Sequence, residues 1–244
     1  MRTVLGLMLF WTPLPVAQAQ GVPSEIAVLT IETAAVERLT TNGSADEEPE
    51  WSRDGTRILF DSNRAGTNDL YVMNADGSGL VRLTDGPAKE DHGTWSPDGG
   101  RLVFSSDRDG NREIYVMPAD GSDQARLTWS DRDNTDPTFS PDGAWIAFNS
   151  ERDGNSEIYV MRQDGSMQTR LTQNMVYDER PDWSPDGEHI LFTRREGGRA
   201  ALWITDPRGQ DAKRISPEGY SMRRAHWSPD GRFIVTQYRP TSDR

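Results

Sequence analysis

The pentapeptide Trp-Ser-Pro-Asp-Gly occurs at Trp95–Gly99, Trp183–Gly187 and Trp227–Gly231, and near-copies start at Trp51 and Phe139. The five starting positions, 51, 95, 139, 183 and 227, are separated by a constant 44. Self-similarity at such a period restricts the chain to an array of equal supersecondary units, each burying its faces against its neighbours. Three apolar columns keep the same register: Ile26, Leu70, Ile114, Ile158 and Leu202; Leu39, Leu83, Leu127, Leu171 and Ile215; Phe60, Phe104, Phe148 and Phe192.

Turn residues divide each unit into four strands. In the unit from Thr94 to Thr128, "TWS" is a short first strand and "SPDG" suits a type I turn, with proline second and glycine fourth. "RLVFSSD" alternates, "DRDGN" turns, "EIYVMP" is β-branched and aromatic, "ADGS" turns again and "ARLT" closes the unit. No segment carries a capped 3.6-residue period, so almost no helix is expected. Four antiparallel strands every ~40–45 residues mark a β-propeller blade. Trp51, Trp95, Phe139, Trp183 and Trp227 are expected to fill the wedge between adjacent sheets.

From Glu25 to Arg244 there is room for five periods of 44. Four units are whole, and the fifth is split. Trp227 to Tyr238 supplies its first two strands, and Ile26 to Thr40 supplies its last two. The expectation is an all-β, five-bladed propeller closed by pairing the two chain ends; a partial or six-bladed ring is the alternative.

The amino terminus, "MRTVLGLMLFWTPLPVAQAQ", has a basic residue, a short apolar run and Ala17-Gln18-Ala19 in the order of a secretory leader. The expected organisation is a signal peptide at 1–19 and one propeller domain at 20–244, exported to the periplasm or beyond. The chain has no cysteine, so disulfides and thiol chemistry are excluded. Its net charge of −12 disfavours nucleic acid and anionic membrane.

The unit "WSPDGGRLVFSSDRDGNREIYVMPADGSDQARLT", Trp95 to Thr128, resembles the repeats of TolB-like propellers: a Trp-Ser-Pro-Asp-Gly turn, an Ile-x-Phe strand, an Ile-Tyr-Val-Met strand and a closing Leu-Thr. The resemblance covers nearly the whole mature chain. It implies a propeller that binds protein partners in the cell envelope. Related propellers also occur in pectin-fragment lyases and beside peptidase domains. No GxSxG, Ser/His/Asp order, phosphate loop or dinucleotide fingerprint is present, so no catalytic residue and no cofactor is assigned.

Charge concentrates in the connections before each first strand. These converge on the mouth of the expected channel, where loops on a rigid scaffold commonly bind. The candidate partner-binding residues are Glu47, Glu48, Glu90, Asp91, Asp136, Asp178 and Glu179, with Arg180, Arg223 and Arg224 opposite. The alternative is a carbohydrate-binding or carbohydrate-acting propeller that takes a small glycan at the same mouth. The "DRDGN"-type turns place oxygens at alternate positions, as calcium loops do, but Arg64, Arg108 and Arg152 recur within them and oppose a cation. His92, His189 and His226 are expected to be ordinary surface histidines, and no metal is assigned. The "RREGGRAALW" turn of the fourth unit, Arg194 to Trp203, departs most from the repeat.

Overall fold

The computed structural model describes residues 23–30 and 33–240, so the expected leader lies outside the described part. The regular structure there is entirely β, and no helix is long and apolar enough to cross a membrane. The chain opens with an antiparallel pair, β1 (Ala27–Thr30) and β2 (Ala35–Arg38). Four sheets of four strands follow. The first holds β3 (Asp46–Trp51), β4 (Arg57–Ser62), β5 (Asp69–Asn74) and β6 (Val81–Arg82). The second holds β7 (Glu90–Trp95), β8 (Arg101–Ser106), β9 (Glu113–Pro118) and β10 (Ala125–Arg126). The third holds β11 (Asn134–Phe139), β12 (Trp145–Ser150), β13 (Glu157–Arg162) and β14 (Thr169–Arg170). The fourth holds β15 (Tyr177–Trp183), β16 (Ile190–Glu196), β17 (Arg199–Thr205) and β18 (Lys213–Arg214). A last pair, β19 (Tyr220–Trp227) and β20 (Ile234–Pro240), ends the description.

The repeated words of the sequence are local hydrogen-bonding devices. In the Ser-Pro-Asp-Gly turn, the serine hydroxyl donates to the aspartate two residues on, as from Ser52 to Asp54 at 2.7 Å and from Ser228 to Asp230 at 2.6 Å. The glycine N–H returns to the serine carbonyl at 2.8–2.9 Å. The hydroxyl closing each "Leu-Thr" accepts from the N–H of the Ile/Leu column: Thr40 from Ile26, Thr84 from Leu70, Thr128 from Ile114, Thr172 from Ile158 and Ser216 from Leu202, at 2.9–3.0 Å. This bond ties the edge strand of each unit to its third strand, where the two-residue strand supplies few ladder bonds of its own. Gly165 has φ +83°, and a Cβ there would meet the Leu127 carbonyl oxygen at 2.7 Å, so the third-to-fourth-strand turn packs backbone to backbone on the preceding sheet.

The arginines of the "DRDGN" turns fold back over their own sheet. Arg64, Arg108 and Arg152 lie over Phe60/Tyr71, Phe104/Tyr115 and Phe148/Tyr159 at 4.7–5.7 Å. Each then donates to a buried oxygen at the start of the first strand: Asp46 at 2.9 Å, Glu90 at 3.1 Å and Asn134 at 3.0 Å. The fourth sheet lacks this turn arginine. There Arg194 lies over Phe192 and Trp203 and reaches Asp178 at 2.7 and 2.8 Å. The divergence of "RREGGRAALW" is therefore compensated within one sheet.

Two expectations are corrected. The charged segments before Trp51 and its counterparts are not loops. They are the first halves of the innermost strands, which begin four to six residues earlier than the "TWS" reading placed them. The hydrophobic periodicity missed them because each contains a bulge, with the register shifting between Glu47/Glu50, Asp91/Thr94, Thr135/Thr138, Glu179/Asp182 and Arg223/His226. The second correction concerns the chain ends. Among the described residues no ladder joins β20 to β1. Instead each half-sheet packs on its sequence neighbour. Ile26 enters the cluster of Ile58, Phe60 and Met73, and Ile234 lies against Leu191, Leu202 and Ile204.

The wedge aromatics divide accordingly. Trp95, Phe139 and Trp183 are 6–7 % exposed, as expected for side chains between complete sheets. Trp51 is 48 % exposed and Trp227 is only partly buried. Trp51 faces the split unit, whose second strand, β20, is not joined to β1 there; the repeat counterpart of Leu59, which covers Trp95, is Val235, and it is exposed.

Candidate functional site

The middle residue of each bulge is a non-glycine residue with positive φ: Glu48 (49°), His92 (54°), Asp136 (52°), Arg180 (55°) and Arg224 (52°). They are spaced by 44. Left-handed backbone disfavours such residues, so a repeated occurrence needs local support. In part it comes from the preceding sheet's second strand. The His92 N–H donates to Asp61 at 3.2 Å, and the Arg180 N–H donates to Asn149 at 3.3 Å. The bulges turn five charged or titratable side chains toward one axis.

A central cavity of about 170 Å³ is lined by three consecutive residues from each of the five inner strands. The outer level is Glu48, His92, Asp136, Arg180 and Arg224; the inner level is Glu50, Thr94, Thr138, Asp182 and His226. Glu48 spans the gap between the chain ends. It pairs with Arg224 at 3.0 Å and with Arg180 at 3.7 Å. On the other wall His92 lies 3.3 Å from Asp91 and 3.4 Å from Asp136. The outer level thus has an acidic arc with one imidazole and a basic arc with one carboxylate.

Burial dominates the titration of this wall. Desolvation pushes the Asp61 carboxyl up to about 8, against the pull of His92 and with a further push from Asp91. Glu50 is likewise pushed up to about 8 by desolvation, opposed by the Trp95 N–H and reinforced by Asp182. For His92, burial works against protonation, but Asp136, Asp91 and Asp61 outweigh it and raise the imidazole to about 9. All three shifts favour the proton-bound form of the group, with Asp136 and Asp91 the main anionic partners of His92. The Asp182 carboxylate, 3.8 Å from the largely exposed His226 imidazole, raises that group as well.

The ten expected binding residues separate into three groups. Glu48, Asp136, Arg180 and Arg224 line the cavity together. Glu47 and Arg223 stand exposed on the same strands, and Glu179 pairs with Arg195 at 2.8 Å. Glu90 and Asp178 are fully buried, engaged by Arg108 and Arg194, and Asp91 is 6 % exposed and held by Arg112 at 2.6 Å. The bulge explains the division: it directs alternate carboxylates inward to the arginines and outward to the channel. Sequence reasoning missed Asp61, Glu50 and Asp182, and it placed His92 on the surface, although its side chain is only 19 % exposed. The 44-residue spacing of His92 from Glu48 and Asp136 was the available signal. Among the described residues, the carboxylates and imidazoles close enough to share an ion are Asp186, Glu188 and His189, on a turn away from the channel.

Successive four-stranded antiparallel sheets whose innermost strands surround a common channel define a β-propeller. The TolB beta propeller domain family matches residues 64–138 and 133–243, and the chain belongs to that family. The structure is similar to TolB from Acinetobacter baumannii, with 26 % identity, TM-score 0.69, and 80 % of this chain and 49 % of that one covered. This chain therefore spans about half the length of that relative. A TolB candidate from Agrobacterium tumefaciens shares 24 % identity over 88 % of this chain and 98 % of that one, with TM-score 0.63. Oligogalacturonate lyase from Vibrio parahaemolyticus shares the fold at 14 % identity and TM-score 0.67, over 90 % of this chain and 67 % of that one. No curated protein sequence matches the chain.

Proposed function

We propose that the protein is an exported, non-enzymatic propeller that docks a protein partner at its channel mouth in the periplasm or cell envelope. In this reading it has five units, with the fifth divided between the chain ends and joined at the axis through Glu48 and Arg224. One observation carries the reading: every inner strand contributes the same strained, charged position to a single cavity. Backbone strain repeated around one opening is retained where surrounding structure supports it, and such positions cluster at sites of function. The family match and the likeness to a TolB structure support a binding role.

The partner segment would carry both signs of charge, basic groups facing Glu47, Asp136 and Glu179 and acidic groups facing Arg180, Arg223 and Arg224. The test replaces Glu47 and Glu179 by lysine and Arg223 by glutamate, and measures cross-linking of the whole protein to envelope components. Capture should fall at least about tenfold, as expected when complementary charges become like charges. Capture that survives all three replacements would remove the mouth from consideration. Fractionation of cells should place the mature chain outside the inner membrane.

A further inference from the structure

The seams between sheets repeat one arrangement on the face opposite the mouth, and the third seam departs from it. Arg57, Arg101 and Trp145 occupy the same repeat position at the start of the second strand. Arg57 lies 4.5 Å over the ring of Trp95 in the next sheet and donates to the Gly99 carbonyl at 3.2 Å. Arg101 lies 5.6 Å over Phe139 and donates to Gln163. At both seams the chain's own guanidinium covers the wedge aromatic and bonds to a turn on a neighbouring sheet. The hollow beside Arg101 is bounded by that arginine and Gln163, and it does not reach Phe139.

At the third seam Trp145 replaces the arginine. A cleft of about 710 Å³ remains, and it reaches the wedge aromatic Trp183. The receptor side of the earlier seams is retained there. Trp183 stands for Trp95 and Gly187 for Gly99, and both line the cleft. Asp142 and Asp186 lie on its margin and Arg208 is the lining cation. Each aspartate uses one oxygen, Oδ1, to hold its own turn, through Ala144 N–H at 3.0 Å and Glu188 N–H at 3.0 Å. Trp183 is 7 % exposed and its Nε1 has no partner, whereas Trp95 Nε1 donates to the Glu50 carbonyl at 3.4 Å. One further cation is near: Arg162 lies 5.1 Å over Trp145.

We propose that this cleft binds an arginine side chain of a peptide partner, which supplies in trans the guanidinium that the first two seams supply in cis. An aromatic wall, a backbone turn and two carboxylates match a planar cation that stacks and donates at once. An ammonium group offers no plane to stack. The cleft lies across the disc from the channel mouth, so this site and the mouth stand or fall separately.

The experiment titrates the full chain with the tripeptide Gly-Arg-Gly by calorimetry and follows the Trp145 and Trp183 indole N–H resonances by NMR. Saturable binding that moves both resonances is expected, with Gly-Lys-Gly and the uncharged Gly-citrulline-Gly at least about tenfold weaker. Trp145→Arg should restore the covering seen at the first two seams, abolish peptide binding and raise the melting temperature. If that variant does not fold, the double variant Asp142→Asn with Asp186→Asn keeps the turn-holding Oδ1 atoms, removes both charges and should weaken binding. Equal binding of the three peptides, no binding of Gly-Arg-Gly, or undiminished binding by the folded variants would overturn the proposal.

Discussion

The seam between the second and third sheets and the gap between the chain ends are built from the same repeat and reach opposite outcomes. At the former, Phe139 is 6 % exposed, and Val103, at the same repeat position as Val235, is fully buried. At the latter, Trp51 is 48 % exposed and Val235 is 69 % exposed. Leu29 is exposed too, where its counterparts Met73, Met117 and Met161 are buried. Apolar residues at identical repeat positions are core in one place and surface in the other. What differs is whether a continuous sheet lies on both sides. The apolar pattern gives a position its potential for burial, and the neighbouring sheet realises it.

The largest expected effect breaks the comparison most directly. Trp95→Ala should cost about 3–5 kcal/mol in urea unfolding, and Trp51→Ala under about 1 kcal/mol, because only the first leaves a cavity. Equal costs would show that the gap is sealed in solution.

The channel wall should make stability depend on pH. Asp61 and Glu50 bind their protons more tightly folded than unfolded, with folded values of about 8 against 3.8 and 4.5. Their contribution is complete below about pH 4 and is lost as pH rises through 8. His92, raised from 6.5 to about 9, works in the same direction over a higher window. Thermal unfolding should therefore show falling stability from about pH 4 to 9, on the order of 2–3 kcal/mol after allowance for relaxation. Asp61→Asn should flatten the acidic half of that slope. A slope unchanged in this variant would remove Asp61 from the account.

The gap is bridged at the axis by charge, so Glu48→Gln should lower stability by about 0.5–1 kcal/mol at low salt and by less at high salt. The smallest effect belongs to the rim. Val235→Asp should change stability by within about 0.5 kcal/mol, as a surface substitution does, whereas Leu191→Asp should prevent folding. A severe loss from Val235→Asp would mean that β20 and β1 do pair.

Much of this architecture was legible in the residues. The five Ser-x-Asp-Gly turns, the hydroxyl after each Leu/Ile column and the alternating second strands each carry local chemistry that needs no distant partner. The candidate site was legible in part. Glu48, Asp136, Arg180 and Arg224 could be grouped because the repeat aligns them. Glu90 and Asp178 could not be separated from Glu48, since a bulge inverts the alternation that assigns a side chain to a face. Trp145 showed no sign of its role in the sequence, since its meaning depends on the arginines of the two preceding units and on the aromatic that follows.

The sequence by itself determined the unit: where each strand turns, which residues are apolar, and that the same hydrogen bonds recur every 44 residues. These are interactions within a few residues, or between adjacent strands, and they are written locally. Tertiary structure alone decided which carboxylates meet an arginine, which aromatics are covered and which cleft stays open. Those outcomes depend on desolvation and on the distance between groups on different sheets, and neither quantity exists until the sheets pack around a common axis.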